Sequence, residues 1–259
     1  MFPISDDNPH NGRPVFTCLI IGMCEAVYLW QSSLGEQALR VTILALGVVP
    51  STLVGEVTLP PEIAMIPPWM TVFTSMFLHG GFMHLAGNML YLWIFGDNIE
   101  VALGWMRFLI FYAVCGIAAA AAQTIVDPAS NIPMIGASGA ISGVLGAYLV
   151  LYPRARVRVL FFPFGIFGIP ALVVLGVWFA MQLFSGLGAP AGGGGVAFWA
   201  HVGGFVAGMA LVPFMRQEGV VLFASAKHKT FYREPPVKNP SIRGRGRPGP
   251  WGKRPGPWE

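Results

Sequence analysis

Residues 136–152 read GASGAISGVLGAYLVLY: no charge, glycine at 136, 139, 143 and 146, and two serines, Ser138 and Ser142, four residues apart. Four-residue spacing puts both hydroxyls on one face of a helix. The glycines crowd that helix with small residues, which lets a second helix backbone come close. The rest of the chain supplies the solvent for such a segment. It is 54% hydrophobic and only 11% charged, with a mean hydropathy of +0.62. A chain of 259 residues so composed cannot bury its apolar surface in one water-soluble core, so lipid must be part of its solvent.

A helix crosses a bilayer core with about twenty apolar residues. Six segments qualify: Pro14–Trp30, Phe82–Val101, Trp105–Val126, Gly136–Tyr152, Phe164–Phe184 and Val196–Met215. The first has no small-residue cleavage site after it and reads as a retained helix rather than a signal peptide. An even number of spans puts both termini on one side. That side then receives all of the sixteen Lys and Arg residues except Arg40, including Arg154, Arg156 and Arg158. The positive-inside rule makes it the cytoplasm. A seventh span at Val41–Val54 is too short and holds Pro50, so 35–69 reads as one long external loop. Pro67, Pro68 and Trp69 suit an interfacial anchor within it.

The expected fold is therefore an all-α membrane protein of six transmembrane helices with both termini cytoplasmic. Residues 1–13 form a short N-terminal tail, 14–216 the membrane domain, and 217–259 a basic Gly/Pro/Arg-rich tail with no apolar face, expected to be disordered. Its basic run reads as a solvated topology signal rather than a nucleic-acid site. Cys18, Cys24 and Cys115 all lie in apolar segments and give neither a disulfide framework nor ligand spacing. Glu25, an acid inside the first span, is assigned no catalytic role.

Polar groups inside membrane helices are functional suspects because lipid makes them costly. They fall in three places here. The second span opens with HGGFMHLAGNM, where His84 and Asn88 share a face and His79 precedes them. The fourth carries Ser138 and Ser142, with Gly143 on the adjoining face. The sixth follows the run Gly192–Gly195 and carries His201, then Gly204 and Gly208.

Alternation of direction gives these three helices their N-terminal turns in the same leaflet. Ser138, His84, Asn88 and His201 then lie at similar depth, about 5–10 Å below the helix starts. Gly204 and Gly208 form a GxxxG pair just after His201, which brings that helix close to the Ser138 helix. Helix N-termini add positive potential that favours an oxyanion. Each residue alone has a plainer reading: a serine bonded back to a carbonyl, a packed histidine, a His–Asn pair holding helices together. Their joint occurrence at one depth favours chemistry.

HGGFMHLAGNM, GASGAISG and AHVGGFVAG, in this order and on alternate spans, resemble the signature segments of the rhomboid intramembrane serine proteases, over about Arg13 to Arg216. The resemblance implies Ser138 as nucleophile, His201 as general base, and His84 and Asn88 as stabilisers of the oxyanion together with the Ser138 backbone N–H. It implies a structural role for His79. Two positions depart from the family pattern: Trp69–Met70 replaces a frequent Trp-Arg, and Ser142 stands where some members have a tyrosine stacked on the histidine. No Asp or Glu lies in the outer turns of the Ser138 or His201 helices, so a dyad is expected, its imidazole fixed by packing.

The expected activity is a serine endopeptidase cutting transmembrane segments of membrane proteins, and the resemblance implies sites with small side chains and a weakened helix. The 186–195 loop and the fifth span are the expected gate. No cofactor or metal is implied, since His79 and His84 have no further ligand at suitable spacing. Single-span or other transmembrane proteins are the expected partners, with lipid and without nucleic acid. The expected location is a bacterial inner membrane, multi-pass. A catalytically silent relative that binds or escorts transmembrane helices is the alternative, against which intact Ser138 and His201 argue. A transporter would place its polar groups near the midplane, not toward one leaflet.

Overall fold

The computed structural model describes residues 2–8, 12–188 and 196–224. After a strand β1 (Phe2–Asp6) the chain forms α1 (Val15–Ser33), α2 (Glu36–Leu46), α3 (Pro50–Leu53), α4 (Thr71–Thr74), α5 (Phe82–Leu103), α6 (Trp105–Val126) and α7 (Ser138–Leu151). Strands β2 (Arg156–Phe161) and β3 (Gly165–Pro170) follow, then α8 (Ala171–Gly188) and α9 (Phe198–Met215). Among the described residues four helices, α1, α6, α8 and α9, are long and apolar enough to cross a membrane. The chain is a mostly helical membrane protein.

Helix α7 is the centre of the bundle. It has 14 residues and a length of about 21 Å, less than the ~30 Å hydrocarbon core. It needs no more, because from Ala140 to Leu151 every residue except Leu149 is buried. Helices α9, α6 and α5 surround it, so protein rather than lipid covers it. Glycine makes the tightest of these contacts. A Cβ at Gly204 would overlap the carbonyl oxygen of Gly139, and one at Gly208 the carbonyl oxygen of Gly143. Gly143 is in turn pressed against Cys115 of α6. All three glycines singled out for packing lie in this contact, and Cys24 and Cys115 are buried while Cys18 is exposed.

Two expectations need correction. The protein is not all-α: β1, β2 and β3 form an antiparallel sheet in that order. The helix of the fifth candidate span begins at Ala171, not Phe164, because 164–170 belong to a hairpin. Its apolar content imitated a span, yet Phe162 and Phe164 at its tip are 87% and 80% exposed. The alternation Arg156-Val157-Arg158-Val159, with the valines buried and the arginines exposed, is the strand period of two.

The sheet ties the N-terminus to the end of the bundle opposite the start of α7. Tyr148 of α7 donates to the Asp6 carboxylate, and Asn98 of α5 donates to the same oxygen at 3.1 Å. Nearby, Glu100 accepts the free N–H groups of Phe16 and Thr17 at 3.0 and 2.8 Å. The first turn of α1, with no side-chain cap of its own, is satisfied from another helix.

Between α1 and α5 the 35–69 stretch is short helices and turns. The longest, α2, has 11 residues. It is too short to cross a bilayer core by itself. Glu25 is exposed on α1. Beyond Met215, Gln217 donates its N–H to Ala102, and Phe223 and Ala224 to Val150 and Leu151, so the start of the basic tail lies against the bundle. Residues 225–259 and 189–195, on which the disorder and part of the gate expectations fall, lie outside the described residues.

Candidate active site

The chain enters α7 through Gly136 at φ +122°, a backbone conformation L side chains rarely adopt. A Cβ there would also stand 2.8 Å from the His84 imidazole and 3.5 Å from Asn88 Nδ2. Glycine at 136 thus lets the turn before Ser138 pass directly under both α5 side chains. Its N–H is held by the Ser75 carbonyl at 2.9 Å.

Ser138 opens α7 and His201 lies in the first turn of α9. The Ser138 Oγ and His201 Nε2 are 2.8 Å apart, a normal hydrogen bond. Ser142, the other serine of the motif, is fully buried, and its hydroxyl donates to the Ser138 carbonyl at 2.6 Å. That is the back-bonded state common for helical serines. The two serines therefore differ in kind, although their sequence surroundings are alike.

Asn88 is 8% exposed and its Nδ2 has no hydrogen-bond partner among the described residues. His84, which like Asn88 lies against Gly136, is exposed, and its Nδ1 accepts a long bond of 3.5 Å from Gly80 N–H. This leaves Nε2 as its N–H donor. Beside Ser138 lies a cavity of about 50 Å³ whose lining mixes small residues, among them Gly116, Ala119, Ala120 and Ala200, with Val48, Val72, Met76, Met134 and Ile135.

His79 stands behind His84, rings edge to face at 5.3 Å. Gln31 of α1 clamps its backbone twice, accepting its N–H at 3.0 Å and donating to its carbonyl at 3.3 Å. The His79 Nδ1 bonds the Phe77 carbonyl at 3.2 Å. Burial first, and then the neighbouring His84, push its pKa from 6.5 down to about 4. The unfolded chain therefore takes up this proton at higher pH than the folded one. Its contribution to stability is whole above pH 6.5 and is lost as pH falls toward 4. Gln31→Leu leaves the His79 N–H and C=O unpaired, at about 1–3 kcal/mol each. A lower melting temperature than wild type at neutral pH, and further loss for both on acidification to pH 4, check this.

Two contacts of His201 were absent from the sequence reading. Its Nδ1 lies 2.8 Å from Oε1 of Gln182, and the Trp178 ring is 5.9 Å from the imidazole, tilted by 39°. Both belong to α8 and are four residues apart, on one face. The available signal was a lone amide in an apolar helix. Trp69, expected as an anchor, is 62% exposed.

The bundle and the polar cluster at its core define an integral membrane protein in which a serine hydroxyl meets an imidazole between two helices. The chain belongs to the rhomboid family: the family's Rhomboid domain matches residues 67–218, more than half of it. It is 34% identical over 139 residues to Rhomboid protease GluP of Bacillus subtilis, covering 54% of this chain and 25% of that protein. To the mitochondrial Rhomboid protein 1 of Saccharomyces cerevisiae it is 31% identical over 147 residues, 54% of this chain and 40% of that one. To the Putative rhomboid protease YdcA of Bacillus subtilis it is 37% identical over 83 residues, 32% and 41% of the two chains. In each case the match spans less than half of the relative's length.

Proposed function

We propose that this protein is an intramembrane serine endopeptidase that cuts transmembrane segments of other membrane proteins, with Ser138 as nucleophile and His201 as base. The observation that carries this reading is the 2.8 Å hydrogen bond between Ser138 Oγ and His201 Nε2, made across a helix contact that only glycine permits. In the first step a bond forms from Ser138 Oγ to the scissile carbonyl carbon and the hydroxyl proton passes to His201 Nε2. Collapse breaks the C–N bond as His201 returns that proton to the leaving amine. Water then attacks the acyl carbon, giving a proton to His201, and the ester C–O bond breaks as His201 passes that proton to Ser138 Oγ, which frees the carboxylic acid and restores the hydroxyl.

The oxyanion sits where Asn88 Nδ2, His84 Nε2–H and the Ser138 N–H converge. Helix α7 adds its N-terminal potential there. The unpartnered Asn88 amide supports this role, since a buried donor costs stability unless it meets an acceptor at some stage of the cycle. The small volume of the cavity beside Ser138, about 50 Å³, favours substrates with small side chains at the cut.

We place six spans, α1, α5, α6, α7, α8 and α9, with both termini on the cytoplasmic side of a bacterial cell membrane. Support comes from the distribution of Lys and Arg. The site then opens toward external water, which the second half of the reaction needs. Helix α8, of whose 18 residues four are buried, packs mainly on α9 and suits a gate for substrate entry.

The test compares purified wild-type, Ser138→Ala and Ser142→Ala proteins on one detergent-solubilised single-span substrate. Cleavage falls by about 10³ or more in Ser138→Ala and persists in Ser142→Ala. Equal cleavage by wild type and Ser138→Ala contradicts the assignment of the nucleophile, and no cleavage by wild type favours a protein that only binds transmembrane helices.

A further inference from the structure

We infer that Gln182 is the positioning residue of the site, the group that holds His201 in the tautomer and orientation its task requires. The inference rests on the reading of Ser138 and His201 as nucleophile and base. A neutral imidazole receives the Ser138 proton at Nε2 only if Nδ1 already carries one. That N–H then faces away from Ser138 and needs an acceptor. Gln182 Oε1 meets Nδ1 at 2.8 Å, which assigns oxygen, not nitrogen, to the side of the amide facing the ring. The work done by a carboxylate in a three-residue serine protease site falls here to a neutral amide.

The surroundings leave no other candidate among the described residues. Helices α7, α8 and α9 contain no Asp, Glu, Lys or Arg. The one charged side chain of α6, Arg107, bonds the Met215 and Arg216 carbonyls at the far end of α9. From α5 the titratable group that faces the ring is His84. Ser142 occupies the position of the stacking tyrosine of some relatives and is turned to a carbonyl. Trp178, one turn before Gln182, covers the imidazole from the α8 side instead.

Both supports of His201 thus come from α8, whose main partner in the bundle is α9. The base is held in register only while α8 is packed on α9, and a displaced α8 takes the acceptor and the ring cover away together. A neutral acceptor also stabilises the imidazolium less than a carboxylate does, which lets the base stay unprotonated to lower pH.

The experiment follows the rate at which a rhodamine fluorophosphonate labels the full chain in detergent micelles, from pH 5 to 9. In this reaction the Ser138 O–P bond forms, the P–F bond breaks, fluoride leaves and the proton goes to His201. Wild type, Ser138→Ala, Gln182→Leu and Gln182→Glu are compared, with a thermal melt for each. Gln182→Leu labels about ten- to a hundred-fold more slowly at every pH. Gln182→Glu, which restores an acceptor oxygen, returns to within about tenfold of wild type on the alkaline plateau. Its acid limb moves up by about one pH unit, because a carboxylate beside the ring favours imidazolium.

A residue that merely packs the helix moves neither the limb nor the rescue. Wild-type labelling with an unshifted profile in Gln182→Leu overturns the inference. So does Gln182→Glu labelling as slowly as Gln182→Leu, or with its acid limb where wild type has it. If Gln182→Leu does not fold, Gln182→Glu alone decides by its acid limb. Labelling of Ser138→Ala at the wild-type rate is a different failure, that of the nucleophile itself.

Discussion

Gly204→Ala, the addition of one methyl group, lowers proteolysis by about 10²–10³. The methyl would overlap the Gly139 carbonyl oxygen, which belongs to the residue after Ser138, while Gly204 itself lies one turn after His201. The wedge therefore acts on the two backbones that carry the hydrogen-bonded pair. Packed helices do not absorb such an overlap in place, so α7 and α9 must separate by about 1 Å. A shift of that size stretches the 2.8 Å Ser138–His201 bond beyond useful geometry and costs about 10²-fold or more in a reaction that depends on alignment. Overpacking adds about 1–3 kcal/mol of destabilisation, read as a lower melting temperature. Gly22→Ala is the control. It lies on α1 with nothing within 4 Å of its added methyl, and it leaves both activity and melting temperature at or slightly above wild type.

Asn88→Leu separates stability from catalysis in the opposite sense. The two side chains have similar volume, and the change removes a buried amide whose Nδ2 has no partner. Taking away an unsatisfied buried donor is neutral or stabilising, so the melting temperature stays or rises. Turnover falls by about 10²–10³, the usual cost of losing one oxyanion donor. Because the donor acts on charge that develops in the transition state, kcat falls while KM changes little. A thermal melt and a kcat–KM pair on one substrate test both halves. A fall in melting temperature with kcat unchanged would make Asn88 a packing residue between helices.

The legible parts of this protein in its sequence were those with a strong period or a strong penalty. Trp105–Val126 has the same bounds as a candidate span and as helix α6, because it is apolar throughout and ends at Asp127. His84, Asn88, Ser138 and His201 stood out because lipid makes polar groups rare, and direction of travel placed them in one leaflet. The glycines at 143, 204 and 208 were legible as a contact surface because nothing else explains so many in a helix.

The hairpin was hidden by composition. FFPFGIFGIP is as apolar as a span, and only the alternating Arg-Val pattern before it and the Pro163–Gly165 turn announce strands. Strand β1 was hidden because five residues carry too little pattern to be read alone. Its partners lie about 150 positions away. Gln182 was missed for a different reason. A histidine's partner in a serine-protease site is usually a carboxylate, and a neutral amide does not carry that signal, although it too is a polar group in an apolar helix. Trp178 needed the helix packing itself, since a tryptophan in a span has many uses.

Direct mapping of the reactive side chain tests the central claim. Wild-type protein labelled with a fluorophosphonate is digested and its modified peptide is fragmented in a mass spectrometer. The adduct mass is predicted on Ser138, with no label on Ser142, and with labelling lost in both Ser138→Ala and His201→Ala. An adduct on Ser142, or undiminished labelling of Ser138→Ala, contradicts the account.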